Sequence, residues 1–173
     1  MDYQEETLNE TETKLERFGD GEWIDEPDRI DFEHRGINCL ILRNGFGALC
    51  GYCQIPEGHK YHGKDPDNIP YEVHGGLTFA GAFERIASMD YWIGFDCNHS
   101  QDLTPSVEVM KKTVEKCILR RRQHLEIEMV NILLKANEIK RPSTYKNIDY
   151  VAAECRKLAE QIANDQGKKK QKK

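Results

Sequence analysis

Asn44-Gly45 lies between two short apolar runs, Gly36–Arg43 and Phe46–Ile55. Asn-Gly in that setting is the strongest short-range hairpin signal, because a type I′ turn needs positive φ at both central residues. The chain is therefore expected to hold an antiparallel hairpin near its first third, its second strand closed by Pro56. Glu57–Pro70 is rich in Gly, Pro, Asp and His and reads as a loop. Tyr71–Phe79 alternates into a third strand interrupted by Gly75-Gly76, and Met89–Cys97 makes a fourth. Four strands with no helix between most of them predict an antiparallel sheet rather than βαβ units.

The pattern changes at Thr104-Pro105, an N-cap followed by Pro at the first helical position. Apolar residues recur at helical spacing from Val107 and Met110 through Leu125, Met129, Ile132 and Leu133 to Ala136. This predicts one helix over 105–140, about 54 Å long at 1.5 Å per residue. Such a helix outruns a small sheet, so its distal stripe is expected to bury against a second copy, giving a homodimer. A shorter helix begins near Asn147, with Ile148, Val151, Ala152, Cys155, Leu158, Ala159 and Ile162 on one face. The fold class is α+β: a small antiparallel sheet with one long and one shorter C-terminal helix.

Charge divides the chain. Residues 1–33 carry thirteen acids against Lys14, Arg17 and Arg29, and Gly167–Lys173 holds five lysines and no acid. Like-charge blocks stay solvated. The expected organisation is a flexible acidic arm over 1–33, one domain over 34–165 and a disordered basic tail over 166–173, with Trp23 and Ile24 able to anchor the arm's far end. No run approaches the roughly 18–20 apolar residues of a membrane span. Met1–Glu6 lacks a secretory pattern, so a cytoplasmic protein is expected. Its six cysteines are then reduced thiols, with Cys39, Cys117 and Cys155 at core-like positions. Arg120-Arg121-Arg122 with Lys111, Lys112 and Lys116 is followed by Glu126 and Glu128, which reads as a solvated, ion-paired face rather than a nucleic-acid surface. P-loop, dinucleotide and His-Glu-x-x-His patterns are absent from the sequence.

Residues that carry chemistry concentrate in two segments. In Val73–Gly81, the pair Gly75-Gly76 inside a strand implies a bulge or a close approach of backbone to another group, or simply room for the sheet to twist around Trp92. His74 and Thr78 flank it. In Trp92–Asp102, an apolar strand runs straight into Asp96, Cys97, Asn98 and His99, the way rigid elements deliver polar groups to a site. Asp96 and His99 suit an acid–base pair, and Cys97 a nucleophile if a neighbouring imidazole lowers its pKa. The alternative is that Asp96 and Asn98 cap the turn into Thr104-Pro105. A competing metal pattern, Cys50-x2-Cys53-x5-His59-x2-His62, offers zinc two thiols and two imidazoles. Cys50 and Cys53 are three apart on a strand, however, and should point to opposite faces, so no cofactor is assigned.

Val-His-Gly-Gly-Leu-Thr-Phe-Ala-Gly (73–81) with Gly-Phe-Asp-Cys-Asn-His (94–99) resembles a family of uncharacterised small phage and prophage proteins. The likeness extends to Gly51–Gly63 and Tyr150–Ile162. The resemblance implies an accessory role countering host defence, in the host cytoplasm if phage-encoded, and transfers no activity. The leading reading is a binding protein that holds a small polar ligand, such as a nucleotide-like signal. His74, Asp96 and His99 would bond the ligand's polar edges, Gly75, Gly76, Thr78 and Asn98 would line it, and Tyr91, Trp92 or Phe95 would stack. Lys60, Lys64 and Arg85 are the cations nearby in sequence. Two alternatives stay open: a hydrolase or transferase using His74, Asp96, Cys97 and His99, and an inhibitor of a host protein acting through the acidic arm and long helix.

Overall fold

The computed structural model describes residues 13–82, 90–121 and 143–170. Among them, β1 (Arg29–His34), β2 (Ile37–Arg43), β3 (Leu49–Ile55), β4 (Phe79–Ala82) and β5 (Tyr91–Asp96) form a five-stranded sheet in the order β1-β2-β3-β5-β4. Every pairing is antiparallel. With α1 (Pro105–Arg121) and α2 (Ile148–Lys170) the fold is α+β.

The core lies between one face of the sheet and α2. Ile41, Cys53, Ile93 and Phe95 meet Val151, Cys155, Leu158 and Ile162, all essentially inaccessible to solvent. The α2 residues recur at three- and four-residue spacing, so one helical stripe supplies that side of the core. Asn147 caps α2 by accepting the Tyr150 amide at 3.1 Å. At its other end α2 runs on to Lys170, into the stretch expected to be a disordered tail.

The β2–β3 hairpin falls where Asn-Gly predicts it, but with another turn. Asn44 bonds Ala48 across the loop at 2.8 Å, and the left-handed residue is Gly47 at φ +86°. Asn44 Oδ1 accepts the amides of Phe46 and Ala48, which holds Asn44 at the strand end instead of the turn centre. The result is a three-residue loop with glycine at its left-handed position. The two-residue turn with positive φ at both positions occurs instead at Arg35-Gly36, φ +51° and +75°, joining β1 to β2.

β1 arises inside the stretch expected to be an arm. Arg29, Asp31 and Glu33 alternate with Ile30, Phe32 and His34, and Ile30 and Phe32 pack on the core. Ahead of it, Phe18 and Trp23 are buried, and Trp23 meets Tyr145 edge-on at 5.2 Å. Tyr71–Thr78, expected as a strand, is irregular, and strand structure begins only at Phe79.

Thr104-Pro105 opens α1 as expected, although the Thr104 hydroxyl donates to Asn98 Oδ1 at 2.6 Å. Val107 and Met110 are exposed on α1. The rest of the expected helix to 140, its distal apolar stripe with the dimer contact, and the Cys117 side chain lie outside the described residues. No described helix is long and apolar enough to cross a membrane.

Candidate functional site

The segment ahead of β4 is held by a helix instead of a strand. The Gln161 carboxamide accepts the Glu72 amide and donates to the Glu72 carbonyl, both at 2.9 Å. The His74 amide donates to Glu154 Oε2 at 2.9 Å, and the Tyr71 hydroxyl to Asp165 Oδ2 at 2.8 Å. Tyr150, Glu154, Gln161 and Asp165 are four, seven and four residues apart, so they form a polar stripe along α2 beside its apolar one. Side chains of this stripe satisfy backbone groups that a sheet would otherwise pair. That is why an alternating sequence here does not become a strand.

The same stripe aims His74. Its Nδ1 lies 3.0 Å from the Tyr150 hydroxyl and its Nε2 lies 2.9 Å from Asp102 Oδ2. The same oxygen accepts the His99 amide at 3.0 Å and faces His99 Nδ1 at 3.2 Å. The two imidazoles meet edge to face with centroids 5.3 Å apart. Asp102 is fixed by its surroundings: its amide donates to the His99 carbonyl, and the segment bridges Thr144. The Asp102 side chain is 1% exposed, while those of His74 and His99 are 16% and 34% exposed. One buried carboxylate thus orients two partly solvated rings. Burial works to raise its pKa, but hydrogen bonds from His74 and from the His99 amide and ring outweigh this and hold it below the usual range. The second oxygen, Oδ1, has no hydrogen-bond partner among the described residues. Lys146 Nζ stands 3.9 Å from it and lies over the Tyr150 ring at 5.1 Å.

Gly75 explains how the rings come so close. At φ +67° it turns the chain, and a Cβ there would sit 2.0 Å from His99 Cε1. The backbone thus approaches another group, as paired glycines imply, and that group is the second histidine. Gly76 also has positive φ, at +90°, with open space around it.

Of the residues singled out in the sequence, the structure gathers His74, Gly75 and His99 and leaves others apart. Asp96 does not pair with His99: its Oδ1 accepts the Asn98 amide at 3.0 Å, and Asn98 in turn holds Thr104. Both serve the turn into α1. Cys97 is buried, and that burial, with the nearby Asp102 charge, pushes its thiol pKa well up, the opposite of what a nucleophile needs. Phe95 is 1% exposed under α2, and Trp92 is buried in β5, so neither ring offers a stacking face. Thr78 is exposed, its amide tied to the Gly94 carbonyl.

Cys50, Cys53, His59 and His62 do not converge. Cys53 faces the core, 3.6 Å from Cys39 Sγ, while Cys50 points to the other face near Asn44. His59 is buried with its Nδ1 on the Tyr61 amide, and His62 packs on Tyr91. Three participants escaped the sequence reading as ligands or partners: Asp102, Tyr150 and Lys146. His99-x-x-Asp102 was a local signal. The other two come from α2 and its approach, and only the fold brings them in. Compared with family models, with curated proteins and with solved structures, the chain matches none.

Proposed function

We propose that the protein binds a small polar ligand against His74 and His99. The observation that carries this reading is Asp102, a buried carboxylate spent on orienting two rings that remain open to solvent. Burying a charge is costly unless it is paired, and a perturbed carboxylate beside partly exposed imidazoles is a common mark of a functional site.

A groove of about 600 Å³ opens beside His74 along α2, bounded by Glu72, Glu154, Lys157, Glu160 and Gln161, within the size range of small-molecule sites. Its three carboxylates face one lysine, which itself pairs with Glu154. This charge favours a neutral or cationic polar group over a phosphate-bearing one. Among the expected cations, Lys60 is engaged by Asp165. In the setting that the phage resemblance implies, the ligand comes from the host cell and its capture counters a defence.

A second reading, a hydrolase or transferase, is favoured by one chain of contacts: Tyr150, His74 and Asp102 in line, which suits His74 to general acid–base work. Cys97 has no part in it.

Small molecules released by heat from the purified protein, identified by mass spectrometry, test the binding reading. A polar compound near one equivalent, lost in His74→Ala with the fold retained by circular dichroism, is the expected result. Equal recovery from wild type and variant, or none from either, would overturn it.

A further inference from the structure

We infer that His74, His99 and Asp102 bind one divalent transition-metal ion of the zinc class. The inference rests on the site reading above and names what first occupies that site. One donor atom from each residue lies within 4.8 Å of the other two. The two carboxylate–imidazole separations are 2.9 and 3.2 Å. Tetrahedral zinc with bonds of about 2.0–2.1 Å places neighbouring donors about 3.3 Å apart, so both carboxylate–imidazole separations are near that spacing, and the two ring nitrogens, within 4.8 Å of each other, need only close on the ion.

Two independent observations point the same way. Asp102 Oδ1 is buried without a hydrogen-bond partner among the described residues, an expensive state for a carboxylate oxygen, and an ion held on the neighbouring Oδ2 would lie close enough to offset part of that cost. The Tyr150 hydroxyl on His74 Nδ1 is the outer partner that metal-binding histidines carry, fixing which nitrogen ligates.

The donor types select the metal. Two imidazoles and one carboxylate suit zinc, iron, cobalt or nickel, whereas calcium and magnesium take oxygen ligands. Three protein donors leave a coordination position open, which is the arrangement that accepts water or a ligand.

Protons balance without net release. With both rings in the neutral form, the metal-free contacts to Asp102 are made by a proton on His74 Nε2 and one on His99 Nδ1. With metal on those atoms, His74 carries its proton on Nδ1 and donates to the Tyr150 oxygen, and His99 carries its proton on Nε2.

The test uses the full chain stripped with a chelator and titrated with Co²⁺, followed by visible absorption, with zinc content measured by elemental mass spectrometry after gel filtration. One ion per chain is expected. His99→Ala and His74→Ala should each weaken binding by more than about 100-fold, and Tyr150→Phe by about 10-fold. His62→Ala should change nothing. Circular dichroism confirms the fold, and partly exposed His99 remains a fair target should His74→Ala unfold. Failure to retain Co²⁺ or zinc, or retention undiminished in His99→Ala, would overturn the inference. A small molecule recovered from protein that binds neither ion would overturn it while sparing the ligand reading; stoichiometric zinc with no small molecule would support it and sink that reading.

Discussion

Arg43→Ala should lose about 3–5 kcal/mol of stability, lowering Tm by roughly 10 °C in a chain of this length. The Arg43 side chain is 2% exposed, yet all of its guanidinium nitrogens are used. Nε bonds Asp28 at 2.7 Å, Nη2 bonds Glu26 at 2.9 Å, and Nη1 donates to the Gly47 carbonyl and the Tyr145 hydroxyl. Glu26 carries the network on, accepting from Tyr145 and from the amide of Ile148, the first residue of α2. One arginine on β2 therefore joins the acidic segment, the β2–β3 loop and the start of the helix that covers the core. Removing it leaves the largely buried Glu26 carboxylate without its cation. Arg43→Lys should fall between, because a single ammonium cannot reproduce the planar fork. Urea unfolding measures both. A loss below about 1 kcal/mol, the scale of an exposed ion pair, would refute the network's importance.

Gly75→Ala should cost roughly 2–4 kcal/mol and disassemble the site. Part of that cost is backbone strain, since an L side chain at φ +67° is disfavoured by about 1–2 kcal/mol. The rest comes from His99: a methyl group 2.0 Å from Cε1 and 2.3 Å from Nε2 must expel the ring and break its contact with Asp102. Gly76→Ala is the control. It carries strain without a clash, because nothing approaches its Cβ, and should cost only about 1–2 kcal/mol. Urea denaturation of the pair separates the two effects. Equal losses, with the His99 resonances unmoved in Gly75→Ala, would show that the ring does not rest on this glycine.

The legible parts of the fold were those where a local signal and burial agree. Asn44-Gly45 marks the β2–β3 hairpin, and the stripe from Ile148 to Ile162 marks α2, because turn chemistry and apolar periodicity are read within a few residues. β1 was hidden by its charges. Arg29, Asp31 and Glu33 read as acidic arm, while their alternation with Ile30 and Phe32 was the strand signal, and Arg35 is an unusual residue for a left-handed turn. Tyr71–Thr78 misled in the other direction, since only the polar stripe of α2 reveals that its backbone bonds go to a helix. At the site, His74, Gly75 and His99 stood out as residue types that are costly without a purpose. Asp96, which ends the strand directly, reads as the acid of a pair with His99, yet a short Asx-type turn consumes it. Tyr150 lies 76 residues from the histidine it touches, a separation that no local pattern spans.

Asp102 holds His74 and His99 at one point. Long-range ¹⁵N–¹H spectra of the histidine side chains, taken on chelator-treated protein in alkaline buffer, test this directly. One tautomer is expected at each ring: His74 protonated at Nε2, with Nδ1 accepting from Tyr150, and His99 protonated at Nδ1. Asp102→Asn should abolish both preferences while His62 stays unchanged. Averaged tautomers at His74 and His99 in the wild type, indistinguishable from a solvated imidazole, would contradict it.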